Sequence, residues 1–235
     1  MYGMTPISQP VAVVTGASRG LGKAVAAGLV ERGWHVIADA RDVTGLAEEV
    51  PGVVAVPGDV SDARHRRELA ERVQRMGRLD LLVNNASTLG PSPLPRLPDY
   101  PLSALRVVYE TNVIAPLALV QELLGPLRAS GGVIVDVTSD ASVEAYPGWG
   151  GYGSSKAALD QLSAVLAAEE PDVRVYAVDP GDMRTDMHQA AYPGEDISDR
   201  PEPATVVPAL LRLLDQRPGS GRYRAADWSV TEVAT

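Results

Sequence analysis

The sequence predicts a single α/β domain: a three-layer, doubly wound parallel sheet of about seven strands with helices on both faces. Two observations carry this. Short runs that are apolar nearly throughout recur along the chain, separated by longer segments with helical spacing of apolar residues, the pattern of strands buried on both faces. The chain has 235 residues, 45% of them hydrophobic, enough for one sizeable core. No internal repeat, low-complexity tract or second domain is visible, so residues 1–235 read as one unit.

Val11-Ala12-Val13-Val14 is the first strand. Thr15-Gly16-Ala17-Ser18-Arg19-Gly20-Leu21-Gly22 follows at once, then a helix from Lys23 to Arg32 that Gly33 ends. Strand, glycine turn and helix in this order make a phosphate site. Glycines admit close approach of the backbone, and a helix N-terminus offers free N–H groups and a positive dipole end. A plain tight turn is the competing reading, and glycines at 16, 20 and 22 disfavour it. Val36 to Arg41 is the second strand. In a dinucleotide site, an acid at its end binds the ribose 2′-OH and an arginine accommodates a 2′-phosphate. Asp39 and Arg41 supply one of each, on one side of an extended strand, and Arg19 adds a second guanidinium.

Val53 to Val56 is the third strand, leading into Gly58-Asp59-Val60. Ser61 or Asp62 caps a helix to about Arg75, on which Arg64, His65, Arg66 and Arg67 read as one solvated edge. Leu79 to Val83 is the fourth strand and ends in Asn84-Asn85-Ala86-Ser87. Prolines at 91, 93, 95, 98 and 101 make 90–101 a stiff extended loop. A long helix follows, roughly 102–129. Pro116 has no N–H for the carbonyl of Asn112, so this helix kinks there and leaves a carbonyl free, either as a packing kink or to hold a water at a site. Gly132 to Thr138 is the fifth strand and delivers Ser139 at its C-terminal end, where ligands of open parallel sheets bind. Tyr146, Trp149 and glycines at 148, 150, 151 and 153 fall in the joining loop. A helix carrying Tyr152 and Lys156 runs to about Glu169. Val173 to Val178 is the sixth strand, ending in Asp179-Pro180-Gly181-Asp182-Met183-Arg184-Thr185. Residues 186–203, polar and proline-containing, read as a lid. A helix over about 204–216 and a short strand around Arg222–Ala225 close the fold.

Composition narrows the function. The net charge is −9 and the sequence pI about 4.8, which argues against a nucleic-acid partner. Cysteine is absent and the three histidines, His35, His65 and His188, are scattered, so neither disulfides nor a metal site is expected. No apolar run approaches the ~20 residues of a membrane span. Residues 1–10 lack a signal-peptide pattern and read as a loose lead-in, so a cytoplasmic protein is expected.

Tyr152 and Lys156 stand four apart, one turn from each other on one helix face. A phenol is a poor acid or base near neutrality, with a pKa near ~10, and a neighbouring cation favours the phenolate and lowers that value. Such a pair can exchange a proton with a substrate oxygen. Alone the spacing is weak; the elements around it supply the rest.

Together these residues resemble the short-chain dehydrogenase/reductase family over about residues 11–225. Thr15-Gly16 through Gly22 is similar to its TGxxxGxG cofactor loop, Asp59-Val60 to its adenine contacts, and Asn84-Asn85-Ala86 to its NNAG motif, with Ser87 in place of the glycine. Asn112, Ser139, Tyr152 and Lys156 resemble the catalytic tetrad, and Pro180-Gly181 through Thr185 the segment beside the nicotinamide. The resemblance implies a Rossmann fold with a cofactor half at about 10–110 and a catalytic half at about 111–235. It implies Tyr152 as general acid in reduction and base in oxidation, and Lys156 lowering its pKa and binding the nicotinamide ribose. Ser139 would hold the substrate oxygen and Asn112 would anchor a water. Hydride would pass between the nicotinamide and a small carbonyl or alcohol substrate.

The family's ribose acid would fall at Ala40, followed by Arg41, which with Arg19 resembles NADP-preferring members; Asp39 keeps NAD(H) possible. The expected cofactor contacts are Gly16, Ser18, Arg19, Gly20, Leu21, Gly22, Arg41, Asp59, Val60, Asn85, Ala86, Ser87, Tyr152, Lys156, Pro180, Gly181, Met183 and Thr185. Substrate contacts are expected from Ser139, Tyr146, Trp149, Met187 and Tyr192. Ser87 leaves a pteridine or enoyl-type reductase open as an alternative, and a non-catalytic nucleotide sensor is a further one. The tail from Arg222 to Trp228 lacks the glycine-rich strand of tetrameric members, so a homodimer through the two long helices is expected ahead of a tetramer.

Overall fold

The computed structural model describes residues 8–229; most of the lead-in expected at 1–10 lies outside the described residues. Seven strands form one all-parallel sheet: β1 (Val11–Thr15), β2 (His35–Ala40), β3 (Val53–Pro57), β4 (Leu81–Asn84), β5 (Val133–Val137), β6 (Arg174–Asp179) and β7 (Gly221–Arg224). Their order is β3-β2-β1-β4-β5-β6-β7. Chain direction across the sheet reverses between β1 and β4, and the crevice above that point, at the C-terminal strand ends, is where open α/β sheets bind ligands.

The strands β1 to β6 are apolar along most of their length because both faces are covered. On one face Val14, Val36, Ala38, Val83, Val135 and Val178 pack under α1 (Gly20–Glu31) and α8 (Val207–Gln216). On the other, Val11, Val13, Ile37, Leu82, Ile134 and Val175 pack under α3 (Ala63–Met76) and α5 (Ala115–Ser130). A short helix that the sequence did not signal, α2 (Leu46–Glu49), links β2 to β3. Asp62, not Ser61, caps α3, its carboxylate accepting the Arg64 N–H.

The long helix expected at 102–129 is three pieces. α4 (Leu102–Tyr109) runs into a π-helical turn at Glu110–Ile114 and then into α5. The kink expected from Pro116 is thus a π turn with Asn112 inside it, fully buried. The 29-residue run Leu102–Ser130 is also long and apolar enough to cross a membrane by length and composition, contrary to the reading of the sequence. Here Val108, Leu119, Val120, Leu123 and Leu127 are buried within the fold.

α6 (Gly150–Glu169) begins two residues before Tyr152, so Gly150, Gly151 and Gly153 belong to the helix and not to the joining loop. Glycine is a poor helix former, and packing explains its presence. A Cβ on Gly150 would stand 2.4 Å from the Leu97 side chain, and one on Gly153 2.5 Å from the Ala141 carbonyl. The missing side chains let the 90–101 loop and the turn after β5 lie directly on this helix. The expected solvated edge of α3 is also corrected. His65 and Arg66 are buried, because the Arg66 guanidinium donates to the Val60 carbonyl at 2.6 Å and His65 reaches β2.

Candidate active site

The glycine loop is built from its neighbours upward. Thr15 Oγ1 accepts the N–H groups of Asn85 and Ala86, both at 3.0 Å, and donates to the Val83 carbonyl. Asn85 Nδ2 donates to the Thr15 and Gly16 carbonyls at 2.8 and 3.1 Å. The loop is therefore fastened to the end of β4, and glycine is required where they meet. A Cβ on Gly16, whose φ is +64°, would lie 2.8 Å from Ala86 Cα, and one on Gly22 would lie 2.4 Å from Asn85 Nδ2. Asn85, expected among the cofactor contacts, holds the loop's shape through its amide. Ser18, Arg19, Gly20 and Leu21 lead into α1, whose N-terminus carries no side-chain cap. Its first N–H groups remain for an anion. These residues fit a dinucleotide pyrophosphate: close backbone approach, uncapped helix donors, and no carboxylate in the turn.

At the ribose end the two competing signals separate. Asp39 is 1% exposed and shares a 2.5 Å hydrogen bond with His65 Nε2. Strand alternation puts it, with Ile37, on the α3 face. Arg41 lies beyond the end of β2, exposed; against desolvation, hydrogen bonds from Ser61 and then the charge of Arg41 hold the Asp59 carboxyl below its ordinary value. The acid that would favour NAD is thus engaged internally, while an arginine stands free beside Asp59 and the buried Val60. Arg19 is exposed and paired with Asp186 at 2.8 Å, a bond of small net worth in water.

Around Tyr152 the four tetrad positions adjoin one another. Asn112 makes four hydrogen bonds: Oδ1 accepts from the Thr88 N–H at 2.8 Å and Ser87 Oγ at 3.1 Å, and Nδ2 donates to the Thr88 carbonyl at 2.9 Å and Ser155 Oγ at 3.0 Å. It ties the segment after β4 to α6. Lys156 Nζ donates to the Val137 carbonyl at 2.7 Å and lies 5.5 Å from the centre of the Tyr152 ring. Ser139 begins a 3-10 turn (Asp140–Ser142) that sits on Gly153; its hydroxyl donates to Asp140 Oδ1 at 2.9 Å. Pro180 and Gly181 follow β6, with the Gly181 N–H on Asp179 Oδ1 at 3.0 Å. Met183 packs against the α1-side core, and Thr185 caps α7 (Asp186–Ala191) while its methyl faces Gly20.

The phenol of Tyr152 is held above its ordinary pKa, first by burial and then by the carboxylates Asp140 and Asp179; the hydrogen bond it shares with Ser87 works the other way. The Lys156 amine donates to the Val137 carbonyl and is pushed down to about 8 by burial, against the attraction of Asp136 and Asp160.

Of the expected substrate wall, Trp149, Met187 and Tyr192 join Leu89, Leu94, Ala141, Ala190 and Ala191 in an apolar cluster over Tyr152. The Trp149 ring meets Tyr152 edge-on at 5.8 Å and Tyr192 at 6.0 Å. The 186–203 segment therefore covers the phenol through α7. Tyr146 is exposed at the rim, its hydroxyl on Glu144 and Asp140. Two features escaped the sequence reading. Asp136, fully inside β5, accepts from Asn84 Nδ2 at 2.7 Å and Ser163 Oγ at 2.6 Å; a carboxylate in an otherwise apolar strand was the available signal. Arg222 on β7 reaches back to the Ser139 turn, with no local signal in the chain. Among the described residues no cluster of ligating side chains could hold a metal.

Comparison with known proteins identifies the family. The short chain dehydrogenase family model matches residues 10–196. The chain is 35% identical to sepiapterin reductase of Rattus norvegicus over 201 residues, covering 77% of each chain. It superposes on a short-chain dehydrogenase of Shigella flexneri 2a complexed with NADP with a TM-score of 0.84 at 29% identity, covering 92% of this chain and 97% of that one. An alcohol dehydrogenase of the archaeon Thermococcus sibiricus complexed with 5-hydroxy-NADP gives 0.82 at 29% identity, covering 92% and 96%. The chain belongs to the short-chain dehydrogenase/reductase family and is one of its NAD(P)-dependent oxidoreductases.

Proposed function

We propose that the protein is an NADPH-dependent reductase of a medium-sized and partly apolar ketone or aldehyde, with Tyr152 as its general acid. The observation that carries this is the buried Tyr152–Lys156 pair on α6, set against the Ser139 turn and closed by the apolar cluster. The Tyr152 phenol carries a proton at neutral pH and lies beside the Ser139 turn, where it could pass that proton to a substrate oxygen. Ser139 would turn its hydroxyl from Asp140 to the substrate oxygen, and Asn112 would hold the segment that frames it. The nicotinamide supplies the hydride. Lys156 would bind its ribose, and Pro180, Gly181 and Met183 would flank its ring.

The cofactor preference rests on Asp39 being bound to His65 and on exposed Arg41 and Arg19. The structures complexed with NADP and 5-hydroxy-NADP are consistent with it. The apolar residues Val107, Ile114 and Val165, 59, 47 and 42% exposed on α4, the π turn and α6, support a homodimer through these helices. The test is NADPH and NADH oxidation against a carbonyl panel with wild type and Tyr152→Phe. Turnover with NADPH that the variant loses while still binding NADPH is expected. Equal turnover by the variant would end the assignment of the acid, and a clear NADH preference would end that of the cofactor.

A further inference from the structure

We propose that Arg222 is a positioning residue for the reaction: from the edge strand it holds the backbone of Ser139 in place. The inference rests on the reading of Ser139 given above. Strand alternation on β7 puts Tyr223 on the α8 face, edge-on to Tyr176 at 5.6 Å, and turns Arg222 to the α6 face. There its guanidinium joins four elements. Nη2 donates to the Ser139 carbonyl at 2.9 Å, to Ser142 Oγ at 3.4 Å and to Asp179 Oδ2 at 3.5 Å, and Nε donates to Asp160 Oδ2 at 3.1 Å. Ser142 Oγ lies 2.6 Å from the same Asp160 oxygen and 2.7 Å from the Ser139 carbonyl. Asp160 is one turn beyond Lys156 on α6. Arg222 and Ser142 therefore clamp the Ser139 carbonyl to the helix that carries the phenol and the amine. A planar fork suits this, since it bonds a carbonyl and a carboxylate from one rigid group. The side chain is 28% exposed, so its carboxylate bonds are partly shielded from water.

The side chain of Ser139 must stand at a fixed place relative to Tyr152, and small misplacements of a reacting group are costly in rate. Releasing its carbonyl should lower kcat without touching the dinucleotide loop. The experiment compares wild type, Arg222→Met, Arg222→Lys, Ser142→Ala and Ser139→Ala for kcat, KM, thermal midpoint and NADPH affinity by protein fluorescence. Expected are a fall in kcat of roughly tenfold for Arg222→Met, a smaller fall for Ser142→Ala, partial recovery in Arg222→Lys, and NADPH affinity within twofold of wild type throughout. Wild-type kcat in both Arg222→Met and Ser142→Ala, with Ser139→Ala inactive, overturns the clamp and leaves the role of Ser139 standing. An active Ser139→Ala overturns both. If Arg222→Met fails to fold, Ser142→Ala decides: unchanged kcat there overturns the proposal.

Discussion

Lys156→Met should abolish turnover and make the protein more stable near neutral pH. The lysine is 2% exposed, and burial pushes its amine from 10.5 down to about 8. At about 1.4 kcal/mol per unit, keeping that amine charged costs the fold about 3 kcal/mol at pH 7. The figure already contains the pull of Asp136 and Asp160, since both act on the same amine. Methionine fills nearly the same volume without a charge, but it leaves the Val137 carbonyl without its donor, a loss of about 1 kcal/mol. The net gain is about 2 kcal/mol, or a rise in Tm of roughly 4–8 °C for a chain of this size. The sign with pH follows from the same shift. The unfolded chain binds the proton more tightly, so wild-type stability rises as pH goes from about 8 to 10.5. The methionine variant lacks that rise. Urea unfolding of both proteins at pH 7 and pH 10 measures the difference. A variant less stable than wild type at pH 7, or an advantage that does not shrink by pH 10, would refute the reasoning.

The pair Asp39–His65 should have the opposite pH signature. Burial raises the Asp39 carboxyl, and the hydrogen bond to Asp39 raises the His65 imidazole. Both groups hold protons more tightly folded than unfolded, so their joint contribution is largest at low pH and is lost as pH rises through the folded value of His65. Asp39→Asn combined with His65→Gln should flatten the fall in unfolding free energy between pH 6 and 8; an unchanged slope would assign it elsewhere. For the proposed dimer, light scattering should give twice the chain mass for wild type and the chain mass for Val107→Glu combined with Val165→Glu, while a monomeric wild type at micromolar concentration would sink that interface.

The strands were legible because a sheet covered on both faces leaves little room for polar residues, so each announces itself as a short apolar run. Tyr152, Lys156 and the glycines at 16, 20 and 22 were legible because local spacing on a helix or turn decides where they point. What the sequence concealed depends on which surface lies against which. Gly150, Gly151 and Gly153 look like loop residues until Leu97, Tyr100 and Ala141 are placed on them. His65 looks solvated until α3 is set against β2, 26 residues away in sequence. Arg222 looks like part of an unremarkable tail until β7 joins the sheet beside β6. The surroundings of the phenol were hidden for the same reason: spacing reports a nearby amine, whereas burial and the carboxylates Asp140 and Asp179 come from other elements.

These two pKa shifts have one origin. The cluster of Leu89, Trp149, Met187, Ala191 and Tyr192 that supplies an apolar wall also excludes water from the phenol and its surroundings. Desolvation is the first cause of the rise at Tyr152 and of the fall at Lys156. Both shifts disfavour the charged form: the phenol stays neutral, and the amine, at about 8, is still mostly charged at pH 7 but closer to losing its proton than in water. Because α7 contributes Met187 and Ala191 to this cover, raising it would readmit water and return both groups toward their ordinary values. The segment proposed to wall the substrate therefore also keeps the surroundings of the phenol dry.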